Sequence, residues 1–279
     1  MKAMLLESLG PMAGNPNPLR LASVPDPCPA PGELLIRVSS SGVCHTELDE
    51  IEGRTPPPRL PVIPGHEVIG RVAEVGRRCE RLSVGDRVGV GWIHHSSGCD
   101  DENLSAEFVA TGRDVNGGYA DFMTVPEAYA CPIPDALQDE EAAPLMCAGS
   151  IGYRALRLCG LDNGRSLGLT GFGGSGHIVL QLSRYLYPDS PVSVFARSEA
   201  ERRFALELGA DWAGDTHDSP PEPLDPRSII LNSKRKNDRR QQEGNNANQN
   251  GQRYANPHVI AKAVAARRVD HQIGLIAGR

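Results

Sequence analysis

Apolar and polar residues alternate in short runs over the first half of the chain, up to about residue 148. Glycine and proline interrupt these runs, a pattern that predicts short β-strands joined by turns. The clearest runs cover residues 34–38, 68–75, 84–88 and 119–125. Many short strands of this kind are typical of a small β-barrel.

The pattern changes after residue 144. Apolar residues recur at helical spacing over 144–158, which predicts a helix containing Cys147 in its first turns. A positive helix end there would favour a thiolate. Strand-like and helix-like segments then alternate, which predicts a parallel α/β sheet. These segments are a strand at 166–170, a helix at 178–186, a strand at 191–196, a helix at about 199–208 and a strand at 209–213.

A glycine-rich turn separates the first of these strands from its helix. It reads Gly171-Phe172-Gly173-Gly174-Ser175-Gly176. In this context the GxGxxG pattern predicts a dinucleotide site, since glycines let the backbone approach a pyrophosphate that the helix N-terminus stabilises. We therefore expect Gly171, Gly173, Gly174 and Gly176 to bind a cofactor. The alternative is a flexible glycine loop.

The residues after the strand at 191–196 bear on which cofactor binds. NAD enzymes place Asp or Glu there to hold the ribose hydroxyls, but this chain has Arg197 and Ser198. An arginine and a serine suit a 2′-phosphate, because a guanidinium makes paired contacts with it. The sequence favours NADP over NAD, although Glu199 and Glu201 lie close enough to keep NAD open.

Three widely spaced side chains are suited to bind zinc. They are Cys44, His66 and Cys147, and His66 is followed directly by Glu67. Three protein ligands and one open position are typical of a catalytic zinc, whereas a closed structural site needs four. The wide spacing agrees, because structural sites draw on local CxxC pairs. Separately, each residue could be an ordinary turn histidine or a buried thiol.

Around these residues the chain resembles the zinc-dependent medium-chain alcohol dehydrogenases. The resemblance runs from about residue 1 to 225 and is carried by 42–76, 84–88, 110–120, 147–149 and the turn at Gly171. It implies an α/β plus β fold. A GroES-like β-barrel catalytic domain would cover 1–150, a partial Rossmann dinucleotide-binding domain 151–225, and an atypical basic tail 226–279.

The same resemblance implies the chemistry. One catalytic zinc would polarise the oxygen of a small alcohol or aldehyde, while a hydride moves between that substrate and NADP or NAD. Thr46 matches the residue whose hydroxyl takes the alcohol proton, although Thr46 could also be a helix cap. Asp49 stands where relatives often carry a histidine that passes the proton to solvent. Glu67 would tune the metal from beside His66.

The loop 92–113 departs from the family pattern. Many members hold a structural zinc here with four clustered cysteines, but this loop is short and keeps only Cys99, with Ser97 and Ser105 at positions where ligands are expected. Four good ligands are needed for a closed site, so we expect no structural zinc. His94 and His95 are then solvated loop residues.

Composition narrows the protein class. Seven cysteines, an odd number without a regular framework, argue against a secreted disulfide scaffold. No apolar run reaches the about 18 residues that would span a bilayer, and the first residues do not begin a signal peptide. We therefore expect a cytoplasmic protein without a membrane partner. Full-length relatives oligomerise, and the sequence does not fix the oligomeric state of this chain.

The tail differs from the rest of the chain. Residues 1–225 hold 18 Lys and Arg against 32 Asp and Glu, a net charge of −14, whereas 226–279 hold 11 against 3, a net charge of +8. Most of the tail is too polar to fold, although 228–231 could add one strand. A truncation or frameshift explains the tail and the missing second half of the cofactor domain. A basic arm for nucleic acid explains only the tail, so no nucleic-acid partner is expected.

The sequence is compatible with several functions. The leading one is a zinc-dependent alcohol dehydrogenase or aldehyde reductase, and the second is a truncated, inactive zinc-binding remnant of such an enzyme. A polyol dehydrogenase would commonly replace the third ligand by a carboxylate, and a zinc-free quinone reductase would lack all three ligands.

Overall fold

The computed structural model describes residues 1–99, 101–224 and 229–231. The chain divides into two compact units, one covering residues 1–150 and one beginning at Ile151. In the first unit the strands are β1 (Lys2–Leu5), β2 (Arg20–Ser23), β3 (Glu33–Ser41), β4 (Val68–Val75), β5 (Arg87–Val90), β6 (Ile93–His95), β7 (Val109–Ala110), β8 (Phe122–Pro126) and β9 (Ala130–Pro132). Its helices are α1 (His45–Ile51) and α2 (Asp139–Ala142), and α3 (Ala148–Leu158) contains the division.

An antiparallel sheet of five strands forms the body of the first unit, in the order β8-β3-β4-β5-β9. Strand β3, the longest of the five, bonds β4 on one side and β8 on the other. Alternate side chains of β3 point into the core, which is what the alternating pattern predicts. The core contains Leu34, Ile36, Val68, Val72, Leu82, Val88, Val90, Met123, Val125 and Ala130.

Irregular pairing in β3 bends this sheet. The register with β4 shifts between Leu35 and Ile36 and again between Val38 and Ser40. Such shifts increase local twist and help a sheet to curl. The predicted GroES-like barrel domain is confirmed as a half-barrel of this kind.

The second unit is a parallel α/β sheet. Its elements are β10 (Leu167–Thr170), α4 (Gly174–Leu186), β11 (Val192–Phe195), α5 (Glu199–Glu207), β12 (Trp212–Gly214) and β13 (Ile229–Leu231). The strand order is β12-β11-β10-β13, and all pairs are parallel. This is the order of the first four strands of a Rossmann sheet, so the partial Rossmann fold is confirmed.

Strand β13 comes from the segment after residue 225, where the sequence allowed one more strand. It pairs with β10 on the side opposite β11, with Gly168 facing Ile229. The chain therefore changes direction across the sheet between β12 and β13, which creates a switch point beside β10. The rest of the predicted disordered tail lies outside the described residues.

The helix predicted at 144–158 begins later than expected. Residues Ala143–Met146 form a short 3-10 turn, and Cys147 has φ −120° and ψ −73°, outside the helical region. The hydroxyl of Ser150 donates to the carbonyls of Leu145 and Met146, which satisfies acceptors that the break leaves free. Cys147 therefore lies at a break before α3, not in the first turns of a helix.

Within the described residues, no helix is both long and apolar enough to cross a membrane.

Candidate metal centre

Cys44 is placed by the end of β3 and the start of α1. After β3 the N–H of Gly42 donates to the carbonyl of Glu67 at 2.8 Å, which ties this turn to the residue beside His66. A Cβ on Gly42 would overlap the carboxylate of Glu67, so a larger residue here would displace that side chain. Cys44 itself is the N-cap of α1 and has an extended backbone.

His66 is placed by hydrogen bonds between two stretches of backbone. The N–H of Gly117 donates to Ile63 O at 2.7 Å, and the N–H of Tyr119 donates to Pro64 O at 2.9 Å. These bonds fix the turn immediately before His66. The imidazole is 1% exposed.

Cys147 is held by contact with the sheet. A Cβ on Gly91, which follows β5, would lie 2.8 Å from the carbonyl oxygen of Met146. The backbone before Cys147 therefore lies directly on the strand end, and a side chain at residue 91 would displace it.

These three segments bring one group of possible metal ligands together. One ligand atom from each of Cys44, His66, Glu67 and Cys147 lies within 4.8 Å of the others. The two sulfurs are 3.9 Å apart. A tetrahedral zinc with Zn–S bonds of about 2.3 Å needs its sulfurs about 3.8 Å apart. The sulfur positions therefore fit zinc.

The imidazole of His66 gives a second test of the fit. Its Nδ1 is 2.6 Å from Oε1 of Glu47, but the two do not meet with hydrogen-bond geometry. Neither ring nitrogen has a hydrogen-bond partner among the described residues. A buried polar atom without a partner is costly, and a metal ion bound by the ring would remove this cost.

The charges of the metal-free site point the same way. The two sulfurs share a proton, which lowers the pKa of Cys44 to about 3 and, with burial, raises that of Cys147 well above its usual range. The expectation of a helix-stabilised thiolate at Cys147 is therefore wrong for this form. Burial and the Cys44 sulfur raise the pKa of Glu67 to about 7.

Burial lowers the pKa of His66, but the Cys44 sulfur and the Glu47 carboxylate outweigh it and raise that pKa to about 10. The site thus holds more potential anions than cations, which favours a divalent ion.

Two buried glutamates of α1 were not recognised as part of the site from the sequence. Glu47 is 2% exposed, and its Oε2 accepts from the N–H of Cys44 at 2.8 Å while its Oε1 faces His66. Glu50 is 1% exposed, and neither carboxylate oxygen has a hydrogen-bond partner in the described chain. The spacing Cys44-x-x-Glu47, that of a capping box, was the signal for Glu47.

Thr46 and Asp49 lie on the same short helix. The hydroxyl of Thr46 is 3.5 Å from the sulfur of Cys44, and Cys44 rather than Thr46 occupies the cap position. The carboxylate of Asp49 accepts from Nε of Arg54 at 2.5 Å, and Nε2 of His45 is 3.7 Å from the same oxygen. Thr46 is therefore beside the ligands, whereas Asp49 is engaged by Arg54.

The glycines of the glycine-rich turn differ in their surroundings. Gly171 has φ +84°, which disfavours any other residue. A Cβ on Gly176 would lie 2.6 Å from the carbonyl oxygen of Gly171, so helix α4 approaches the strand end closely. Around Gly173 and Gly174 a Cβ would meet nothing within 4 Å. The turn is thus tight on one side and open at Gly173 and Gly174, which are the N-cap and the first residue of α4.

The chain is similar in sequence to known alcohol dehydrogenases. The alcohol dehydrogenase GroES-like domain family matches residues 30–135. The protein AdhA of Mycobacterium tuberculosis, which is named as an alcohol dehydrogenase, is 44% identical over 236 residues, covering 81% of this chain and 67% of its own. The chain belongs to the zinc-containing medium-chain alcohol dehydrogenase family.

Two solved structures of dehydrogenases are similar in fold. One, from Sinorhizobium meliloti 1021, is described as a zinc-binding dehydrogenase bound to NADP; it has a TM-score of 0.68 and 30% identity, covering 77% of this chain and 61% of that one. The other, an alcohol dehydrogenase from Escherichia coli CFT073, is described as complexed with NADH; it has a TM-score of 0.70 and 25% identity, covering 79% and 64%. The chain thus spans less than two thirds of these two dehydrogenases.

The strand end that distinguishes cofactors in this family has an unusual arginine arrangement. Nη1 of Arg202 donates to the carbonyls of Ala196 and Arg197 at 2.8 and 2.9 Å and lies 3.4 Å from Oδ2 of Asp215. Arg202 is thereby engaged with the turn itself. The side chains of Arg197 and Ser198 are exposed.

The loop that carries a structural zinc in many dehydrogenases of this family is held here by hydrogen bonds. The N–H of Ser96 donates to the hydroxyl of Tyr129 at 2.9 Å, and that hydroxyl donates to Ser96 O at 3.0 Å. The Ser96 hydroxyl donates to the carbonyl of Glu102 at 2.5 Å. Cys99 is exposed. We call these contacts of Ser96, Glu102 and Tyr129 the loop clasp.

Proposed function

We propose that this chain is a zinc-dependent alcohol dehydrogenase or aldehyde reductase that transfers a hydride between a small alcohol and NADP or NAD. The observation that carries the proposal is the convergence of Cys44, His66 and Cys147, whose two sulfurs are spaced as a tetrahedral zinc requires. Membership of the zinc-containing family supports the same function. Residues 1–150 would form the catalytic domain and 151–225 the partial cofactor domain.

In this proposal Cys44, His66 and Cys147 hold the zinc, and the residues around them orient it. Bound zinc would act as a Lewis acid toward the oxygen of the alcohol or aldehyde. Glu47 faces Nδ1 of His66, so it would hold the ring orientation and raise its basicity. Glu67 lies among the ligand atoms and would tune the charge of the site.

The proton of the alcohol is assigned to Thr46. Its hydroxyl is half-buried beside Cys44, so it can accept a proton from the substrate and pass it outward. Asp49 would continue this transfer three residues further along α1. Its carboxylate is held by Arg54, whose Nε donates to it at 2.5 Å.

The cofactor would bind the glycine-rich turn. The open positions at Gly173 and Gly174 leave space for a pyrophosphate at the N-terminus of α4, and Gly171 and Gly176 keep the turn tight. NADP is favoured, because Arg197 and Ser198 are exposed and no carboxylate follows β11 directly.

A second candidate function is a zinc-binding protein without dehydrogenase activity. It is favoured by the length of the match, since the chain spans 61% of the dehydrogenase bound to NADP. In that case zinc would bind without hydride transfer.

The two candidates are separated by measuring zinc and turnover on the same preparation. Metal analysis should give one zinc per chain, and NADPH oxidation should be detectable with at least one aldehyde from a panel of aliphatic and aromatic substrates. Cys147→Ser should lose both zinc and activity. Cys159→Ser is the matched control, because its half-buried sulfur donates to Leu156 O at 3.1 Å and a hydroxyl can do the same. Bound zinc without turnover would leave the second candidate, and absence of zinc would refute both.

A further inference from the structure

We propose that Cys44 and Cys147 form a modification site, at which the metal-free chain is converted by disulfide exchange to an intramolecular disulfide. This inference goes beyond the proposed dehydrogenase activity and shares with it only the two sulfurs. The sulfurs are 103 positions apart in the chain and 3.9 Å apart in space. A disulfide bond is about 2.05 Å long, so the sulfurs must approach by about 1.9 Å.

The backbone at both cysteines favours this approach. Cys44 precedes α1 with φ −102° and ψ 163°, and Cys147 lies at the break between the 3-10 turn and α3. Neither residue is inside a helix or a strand, so rotation about the Cα–Cβ bonds can move the sulfurs without opening a regular element. Both residues are half-buried rather than fully enclosed.

The remaining cysteines of the described chain are less suited to pair. The thiols of Cys79 and Cys159 donate to backbone carbonyls at 3.3 and 3.1 Å. Cys131 is in β9 and paired with Gly89 of β5, so its backbone is fixed inside a regular strand. Cys28 and Cys99 are exposed and can react only as separate thiols.

The chemistry requires a low-molecular-weight disulfide such as oxidised glutathione. One cysteine sulfur attacks this disulfide, forms a mixed disulfide with one glutathione and releases the other as a thiol. The second cysteine sulfur then attacks the first cysteine sulfur and displaces the remaining glutathione. The two cysteines together lose two electrons and two protons. Oxidised glutathione takes up these electrons and protons and becomes two glutathione thiols.

Zinc and the disulfide exclude each other at this site. Both need the same two sulfurs, and a sulfur in a disulfide is no longer a thiolate ligand. Oxidation would therefore leave His66 and Glu67 without their sulfur partners and prevent zinc from binding. Bound zinc should in turn protect the pair, because only the metal-free fraction reacts.

The test uses the full chain, reduced and stripped of metal with a chelator, then exposed to oxidised glutathione with and without zinc. Peptide mapping by mass spectrometry identifies the linked cysteines. We expect a Cys44–Cys147 link as the main product, and zinc at about ten times its dissociation constant should slow its formation about tenfold. Reduction with dithiothreitol should restore zinc binding.

Two variants make the assignment independent of folding yield. In Cys44→Ser and in Cys147→Ser the remaining cysteine of the pair cannot be resolved, so it should accumulate a mixed disulfide with glutathione. Cys131→Ser and Cys159→Ser should form the Cys44–Cys147 link as the wild type does.

Each outcome decides one of the two proposals. Linkage of another cysteine pair, or stable glutathione adducts on both Cys44 and Cys147 of the wild-type chain, would overturn the disulfide. A Cys44–Cys147 link that forms equally fast at saturating zinc would support the disulfide and refute the zinc site. Zinc binding without any Cys44–Cys147 link would support the zinc site and refute the disulfide.

Discussion

Gly42 lies against the carboxylate of Glu67, with no room for a side chain between them. We expect Gly42→Ala to displace Glu67 from the ligand group and to weaken zinc binding. Overpacking of this kind should lower the free energy of unfolding by about 1–3 kcal/mol. Zinc titration and urea unfolding measure the two effects. Gly10→Ala is the matched control, because a Cβ there meets nothing within 4 Å; equal losses in both variants would contradict the prediction.

Glu50 should make the metal-free protein less stable as the pH rises. Burial and the nearby Glu47 carboxylate raise its pKa to about 8, although His66 and Arg113 oppose this and the Cys44 sulfur adds to it. The unfolded carboxyl has a pKa of about 4.3, so the folded protein holds this proton while the unfolded chain releases it. Stability from this group is full below about pH 4.3 and is lost as the pH rises to about 8, by up to about 5 kcal/mol.

Other groups of the site also titrate, so the contribution of Glu50 is measured as the difference between a Glu50 variant and the wild type. The unfolding free energy of Glu50→Gln minus that of the wild type should increase from pH 5 to pH 8, with chelator present throughout. The same substitution at the exposed Glu74 is the matched control. A flat difference for Glu50→Gln would show that Glu50 gains solvent or a partner in solution.

Arg197 should determine the preference for NADP. Replacing it with alanine removes a charged contact to the 2′-phosphate, and we expect the affinity for NADPH to fall about tenfold while that for NADH changes little. Binding is measured by calorimetry with both cofactors. Arg203→Ala is the control, because Arg203 is also an exposed arginine but lies on α5. An equal loss for NADH would mean that Arg197 does not contact the 2′-phosphate.

The loop clasp should stabilise the backbone at Ser96 and Glu102 without a metal. In Tyr129→Phe the N–H and carbonyl of Ser96 lose their hydroxyl partner, and we expect the protein to lose about 1–3 kcal/mol of unfolding free energy. Zinc content should remain at one per chain in both proteins. Tyr185→Phe, at an exposed tyrosine, should be neutral. A second zinc in the wild type, lost in Tyr129→Phe, would assign the loop a metal site.

The three candidate zinc ligands could be named from the sequence because their residue types and flanking glycines are distinctive, but Glu47 and Glu50 could not. Helix α1 has only seven residues, too few for a clear periodicity to show which of Glu47, Asp49 and Glu50 faces inward. Acidic residues are rarely buried, so an exposed position was the natural expectation. Only the folded chain shows that Glu47 and Glu50 are buried and that Glu47 faces His66.

The break at Cys147 and the loop clasp were beyond prediction for a different reason. Both depend on contacts between segments distant in sequence, Gly91 with Met146 in one case and Ser96 with Tyr129 in the other. Helical spacing over 144–158 is a local signal and does not report such contacts.

Strand β3 has a further consequence, because the turn that follows it is bonded to the segment that precedes β4, through the N–H of Gly42 and the carbonyl of Glu67, before any ion arrives. The sulfur pair is already at the separation that a tetrahedral ion requires. Little conformational entropy then remains to be lost when the ion binds, which favours high affinity and rapid loading. A scaffold prepared in this way should also reject octahedral oxygen-seeking ions such as magnesium, because neither its shape nor its soft donors suit them.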